Sequence, residues 1–119
     1  MNEINFDVYN ENCPSRKLLE MISDKWTILI IAKLSQRTYR FGELKRETGG
    51  ISQKVLTQTL RALEKNGFIL RQQYPVLPLR VEYSLTPLGT SLSTIFISIT
   101  AWAEQHIEEI IQAQQSYQL

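Results

Sequence analysis

Apolar residues first recur at helical spacing at Leu18, Leu19 and Ile22, so Pro14 to Ile22 is predicted to be a helix. Its proline stands at the first helical position, where a missing N–H has no helical partner to lose. Lys25 to Ser35 (KWTILIIAKLS) is almost wholly apolar. A helix apolar all round is buried on several sides, which puts Trp26, Leu29, Ile30 and Leu34 at the centre of the core. Ser23-Asp24 supplies its cap. Thr38 to Arg40 reads as a short strand. The polar, acidic stretch from Met1 to Asn12 has no sustained period and is expected to be a loosely held arm.

From Phe41 to Gly67 (FGELKRETGGISQKVLTQTLRALEKNG) two helical patterns flank a Gly49-Gly50 break. In the first, Phe41 to Glu47, Phe41 and Leu44 point inward and Lys45 and Arg46 outward. The glycines end it, because glycine enters the left-handed region without steric conflict. Ile51 is expected to plug the turn, and Ser52 is a good cap for the second helix, Gln53 to Asn66. At about 100° per residue, Leu56, Thr59, Leu60 and Leu63 fall on a buried side. Lys54, Thr57, Gln58, Arg61 and Lys65 fall on the other, and no acid is expected to interrupt that outer face. Two short helices joined by a tight glycine turn make a helix-turn-helix.

Phe68 to Tyr74 and Val81 to Thr86 have the aromatic and β-branched content of strands. Val81, Tyr83 and Leu85 alternate with Glu82 and Ser84, which predicts one buried face. Pro75 and Pro78 cannot donate to a ladder, so the hairpin tip spans Pro75 to Arg80 and projects Arg71 and Arg80. Thr86-Pro87 then caps a helix running to about Gln112. Its stripe of Leu88, Leu92, Ile95, Phe96, Ile99, Trp102, Ala103, Ile107, Ile110 and Ile111 is too long for one small domain to cover. A second copy of the chain is the simplest cover, with Leu92, Ile95, Phe96, Ile99, Trp102 and Ile110 as the expected interface. Gln114 to Leu119 reads as a frayed tail.

The predicted fold is therefore mainly α with a small β-hairpin wing (α+β). It is a winged helix-turn-helix over residues 13–113 with a long C-terminal dimerisation helix. A chain of 119 residues with 43% hydrophobic content suits one domain with one core. No apolar run approaches the roughly 20 residues of a membrane span, and no basic-then-apolar leader opens the sequence. A single cysteine forms no internal bridge, which fits a reducing cytoplasm.

The net charge of +1 hides an uneven distribution. Lys33 to Arg80 holds ten basic residues and three acids, leaving +7 there and −6 on the rest of the chain. A basic middle between acidic flanks is the footprint of a polyanion-binding face. Near the start of the second helix, Gln53, Lys54, Thr57, Gln58 and Arg61 supply the groups that read base edges in a major groove. Lys45, Arg46 and Lys65, with Arg40 beside them, suit phosphates. Of the wing arginines, Arg80 is the better candidate for a minor groove, and Arg71 reads as solvated. The alternative is a winged helix that meets an acidic protein partner through the same basic face.

Cys13 stands at a helix N-terminus with Arg16 and Lys17 one turn away, which favours thiolate. The other reading is a small buried residue that anchors the first helix. His106, the only histidine, has scattered carboxylates nearby and no metal-site spacing. No nucleophile motif, phosphate-binding glycine loop or paired catalytic carboxylate is present, so no enzyme, cofactor or metal is expected.

Several motifs together resemble the HxlR family of bacterial winged-helix transcription regulators, relatives of the MarR group. They are Cys13-Pro14, DKWTILII from Asp24 to Ile31, and RFGELKRETGGISQKVLTQTLRALEKNGFILR from Arg40 to Arg71. YPVLPLRVEYSLTPLG from Tyr74 to Gly89 completes the match. The resemblance implies a cytoplasmic homodimer that binds a pseudo-palindromic DNA operator and represses or activates transcription. Dimers would pair through the first and the last helices. It also implies that Cys13 occupies the position where several members sense oxidants, quinones or aldehydes. The effector, small molecule or electrophile, stays open. The tip departs mildly from the family pattern, with Leu79 between Pro78 and Arg80.

Overall fold

The structure, a computed structural model, describes residues 6–118. Five helices and three strands follow in the order α1 (Pro14–Ile22), α2 (Lys25–Leu34), β1 (Tyr39–Arg40), α3 (Phe41–Glu47), α4 (Gln53–Lys65), β2 (Ile69–Tyr74), β3 (Arg80–Leu85) and α5 (Pro87–Ser116). Local chemistry sets most of these boundaries. The Asp24 carboxylate accepts from the Trp26 and Thr27 N–H groups at 3.1 and 3.2 Å and starts α2. Ser52 Oγ accepts from the Val55 N–H at 3.1 Å and starts α4. Thr86 Oγ1 accepts from the Gly89 N–H at 3.0 Å and starts α5. Each such cap satisfies an N–H that the first helical turn leaves orphaned.

The sheet order is β1-β3-β2, all antiparallel, with Tyr39 opposite Tyr83 and Arg71 opposite the same Tyr83 on the other side. The core gathers Ile30, Ile31 and Leu34 of α2, Tyr39, Leu44, Ile51, Leu56, Leu60 and Leu63, then Phe68, Ile69, Tyr83, Leu92 and Phe96. The alternation expected along β3 is blurred: Tyr83 is buried while Glu82 and Ser84 are half-buried. β3 is the central strand, and neighbours on both edges shade its outward residues too. Leu29, expected at the centre of the core, is 37% exposed because the neighbours of α2 do not wrap its whole circumference. Trp26 is half-buried, with its ring end beneath the turn at Gly50. Of the two turn glycines only Gly50 has positive φ (84°), so the conformational demand sits there and not at Gly49.

Residues 6–12 of the expected arm are exposed and run in turns. Asp7, Asn10 and Asn12 form hydrogen-bonded turns, and the Cys13 N–H donates to the Asn10 carbonyl at 3.1 Å. The first five residues of the expected arm lie outside the described residues, as does Leu119. At the other end α5 continues to Ser116, one turn past its expected limit and into the segment expected to fray. Thirty residues make a helix of about 45 Å. The radius of gyration is 17.6 Å, whereas a compact chain of this length gives about 13.5 Å. The second half of α5 has left the body of the domain.

Leu92 and Phe96 were expected at the dimer interface, and the structure corrects this. They are 9% and 4% exposed and pack on the subunit's own core, leaving little surface for another chain. Ile95, Ile99, Trp102 and Ile110 remain exposed, together with Leu18 and Leu19 of α1. α1 fully buries none of its residues within the subunit; only Met21 and Ile22 at its end pack partly against the core.

Candidate nucleic-acid interface

α4 packs Leu56, Thr59, Leu60 and Leu63 inward and presents Lys54, Gln58, Arg61 and Lys65 to solvent, with Gln53 exposed beside them and Thr57 half-buried. Its orientation is held at both ends. Ile51 is buried before its N-terminus. Past its C-terminus, Gly67 turns the chain with φ 82°, and Thr86 Oγ1 donates to the Gly67 carbonyl at 2.6 Å. The Thr86 N–H donates to the Phe68 carbonyl at 3.0 Å. α5 presses close at that point: a Cβ on Gly89 would lie 2.0 Å from the same Phe68 oxygen.

The ten cations of the basic middle divide into two sets. Lys33 pairs with Glu47 at 3.5 Å, and Arg37 pairs with Glu43 at 3.3 Å and Glu47 at 3.2 Å while stacking on Tyr39. Arg80 lies 3.4 Å from Glu82 through Nε and stacks on the Tyr74 ring at 4.3 Å. The other seven, Arg40, Lys45, Arg46, Lys54, Arg61, Lys65 and Arg71, make no ion pair among the described residues. All seven are exposed. The paired carboxylates also brace the helix-turn-helix. Glu43 accepts the Arg40 N–H at 2.8 Å at the start of α3. That bond, helped by the Arg37 guanidinium, holds the Glu43 carboxyl below its ordinary value.

One expectation for the wing is corrected. Arg80 is the first residue of β3, not the tip, and its charge is engaged by Glu82 and Tyr74. Arg71 is exposed, as expected, and it also lines a groove of about 490 Å³ between α4 and the sheet, with Gln53, Thr57, Arg61 and Tyr83. The sequence hides this because a six-residue strand with exposed residues on both sides does not reveal which side faces α4. Glu64 lines the same groove, so one acid does border the outer face of α4.

Two further features lie apart from α4. Cys13 is 2% exposed and occupies the N-cap position of α1 without capping it through its side chain. An open cleft of about 450 Å³ runs between Leu29 and Lys33 of α2, Ser35 and Gln36 just after it, the Thr48-Gly49 turn, and Ile97 and Glu104 of α5. The Thr48 hydroxyl is buried at its edge without a hydrogen-bond partner. Among the described residues no His, Cys, Asp or Glu cluster is arranged to hold a metal, and no helix is long and apolar enough to cross a membrane.

Comparison with known proteins agrees with this geometry. The HxlR-like helix-turn-helix family model matches residues 21–111. The HTH-type transcriptional regulator YtfH of Escherichia coli (strain K12) is 43% identical over 105 residues, covering 88% of this chain and 83% of that protein. The structure of a transcriptional regulator ytfH from Salmonella typhimurium superposes with a TM-score of 0.87 at 40% identity, over 93% of this chain and 99% of that one. The redox regulator HypR in its oxidized form superposes with a TM-score of 0.72 at 35% identity, over 78% and 96%.

Proposed function

Because the chain belongs to the HxlR-like helix-turn-helix family of transcriptional regulators, we propose that it acts in the cytoplasm as a homodimer on a pseudo-palindromic DNA operator. α4 enters the major groove, where Gln53, Lys54, Thr57, Gln58 and Arg61 meet base edges. Arg40, Lys45, Arg46, Lys65 and Arg71 meet phosphates. Arg80 moves from a direct contact to a brace of the wing. The observation that carries the reading is the charge partition: the cations around α4 are exposed and make no ion pair among the described residues, while those elsewhere in the basic middle are tied to carboxylates.

The dimer of the proposal uses Ile95, Ile99, Trp102 and Ile110 of α5 with Leu18 and Leu19 of α1, which the subunit leaves uncovered. Burying each such side chain is worth roughly 1.5–3 kcal/mol. Cys13 enters as a thiol switch that reacts only after a local opening exposes it, since it is buried; the likeness to a redox regulator supports this role. A small-molecule effector is assigned to the cleft at Thr48, which touches both α5 and the turn leading into α4.

The test is selection of duplexes from random DNA by the full-length protein, followed by affinity measurement at several salt concentrations. A selected inverted repeat is expected, with log affinity falling linearly against log salt at about −0.9 per phosphate neutralised. Arg61→Ala is expected to weaken specific binding by about 1–3 kcal/mol. Failure to enrich any sequence, or a flat salt dependence, would overturn the reading.

A further inference from the structure

The wing ends in apolar side chains where a charge was expected. Between β2 and β3 lie Pro75, Val76, Leu77, Pro78 and Leu79. Leu77 is 100% exposed, and Val76 and Leu79 are about half exposed. The nearest cation, Arg80, is held back by Glu82 and Tyr74. Two prolines fix φ at two of the five tip positions, so the leucines are presented with less conformational freedom to lose on contact. Neighbouring uncovered apolar side chains at the outermost point of a hairpin mark a contact site.

The same hairpin suggests which partner. Its strand β2 carries Arg71 into the groove beside α4, so the wing and α4 share one surface. Six-residue strands lift the tip about 17 Å from the sheet base. Minor grooves admit apolar wedges, which partly unstack a base step and bend the duplex. We propose that Leu77 and Leu79 form such a wedge, seated in the minor groove that flanks the sequence read by α4. The inference rests on the DNA-binding reading and adds to it a recognition mode: DNA deformability sensed by apolar contact, with flexible pyrimidine–purine steps preferred at the flank.

The test uses the full-length protein and the duplex it selects, carrying 2-aminopurine at steps flanking the inverted repeat. Wild-type binding is expected to raise the fluorescence at one flanking step on each side, as an unstacked base does. Leu77→Ser/Leu79→Ser is expected to abolish that rise and weaken binding by about tenfold or more. The slope of log affinity against log salt should stay unchanged, whereas Arg71→Ala should reduce it by about one. Unchanged fluorescence with wild-type protein overturns the wedge without recourse to any variant. A double variant with wild-type affinity also overturns it and leaves the tip to a protein partner. Wild-type protein that selects no duplex overturns the DNA reading itself, and the wedge with it.

Discussion

Single residues differ here in whether their neighbours leave them free to act. Lys33, Arg37 and Arg80 carry the same charge as Lys54, Arg61 and Arg71, yet carboxylates hold the first three in place. Exposed ion pairs of this kind contribute little stability each. Their consequence is positional: Glu47 ties α3 to Lys33 of α2, Glu43 and Glu47 both hold Arg37 in the loop that follows α2, and Glu47 also accepts from the Tyr39 hydroxyl at 3.3 Å. Cys13 is the opposite case, a group with reactive chemistry that the fold covers. A buried thiol reacts at the rate its cover opens. The chain has no second cysteine, so oxidation by diamide would join two subunits or add a small thiol. Cys13→Ser is expected to bind the selected duplex normally and to lose all response to diamide. A variant that responds like the wild type would remove Cys13 from the account.

At the scale of elements, the junction of α4, β2 and α5 sets the angle at which α4 is presented. Gly67 turns, Thr86 ties strand to helix, and Gly89 lets α5 touch the Phe68 carbonyl. Gly89→Ala would set a methyl 2.0 Å from backbone oxygen, so the backbone must move. The expected loss is about 1–3 kcal/mol, or roughly 5 °C or more in Tm, with weaker DNA binding from the displaced helix. An unchanged Tm would contradict the contact. The elements themselves were legible in the sequence because caps and periods are local: Asp24, Ser52 and Thr86 announce α2, α4 and α5 within three residues of each start. The buried side of α4 was legible for the same reason. Leu29, Leu92, Phe96 and Arg80 were misjudged because their fates depend on neighbouring elements. Periodicity says that a face exists. It does not say whether the subunit itself, another chain or nothing covers it.

On the scale of the whole molecule, an α5 that outruns its own core leaves one subunit with an apolar flank. Ile95, Ile99 and Trp102 form a continuous patch with Ser98, and Trp102 stacks on His106 at 4.5 Å. Ile99→Glu is expected to convert a dimer to monomers in sedimentation equilibrium and to weaken operator binding with it. A variant that stays dimeric would move the interface elsewhere. Pairing two subunits fixes the separation of their α4 helices, and so the half-site spacing on DNA. Dimethyl sulfate footprinting at guanine N7, an atom in the major groove, tests this most directly. The account predicts two protected patches about 34 Å apart on one face of the duplex, both lost in Gln58→Ala/Arg61→Ala. A single patch, or protection that survives those substitutions, would contradict it.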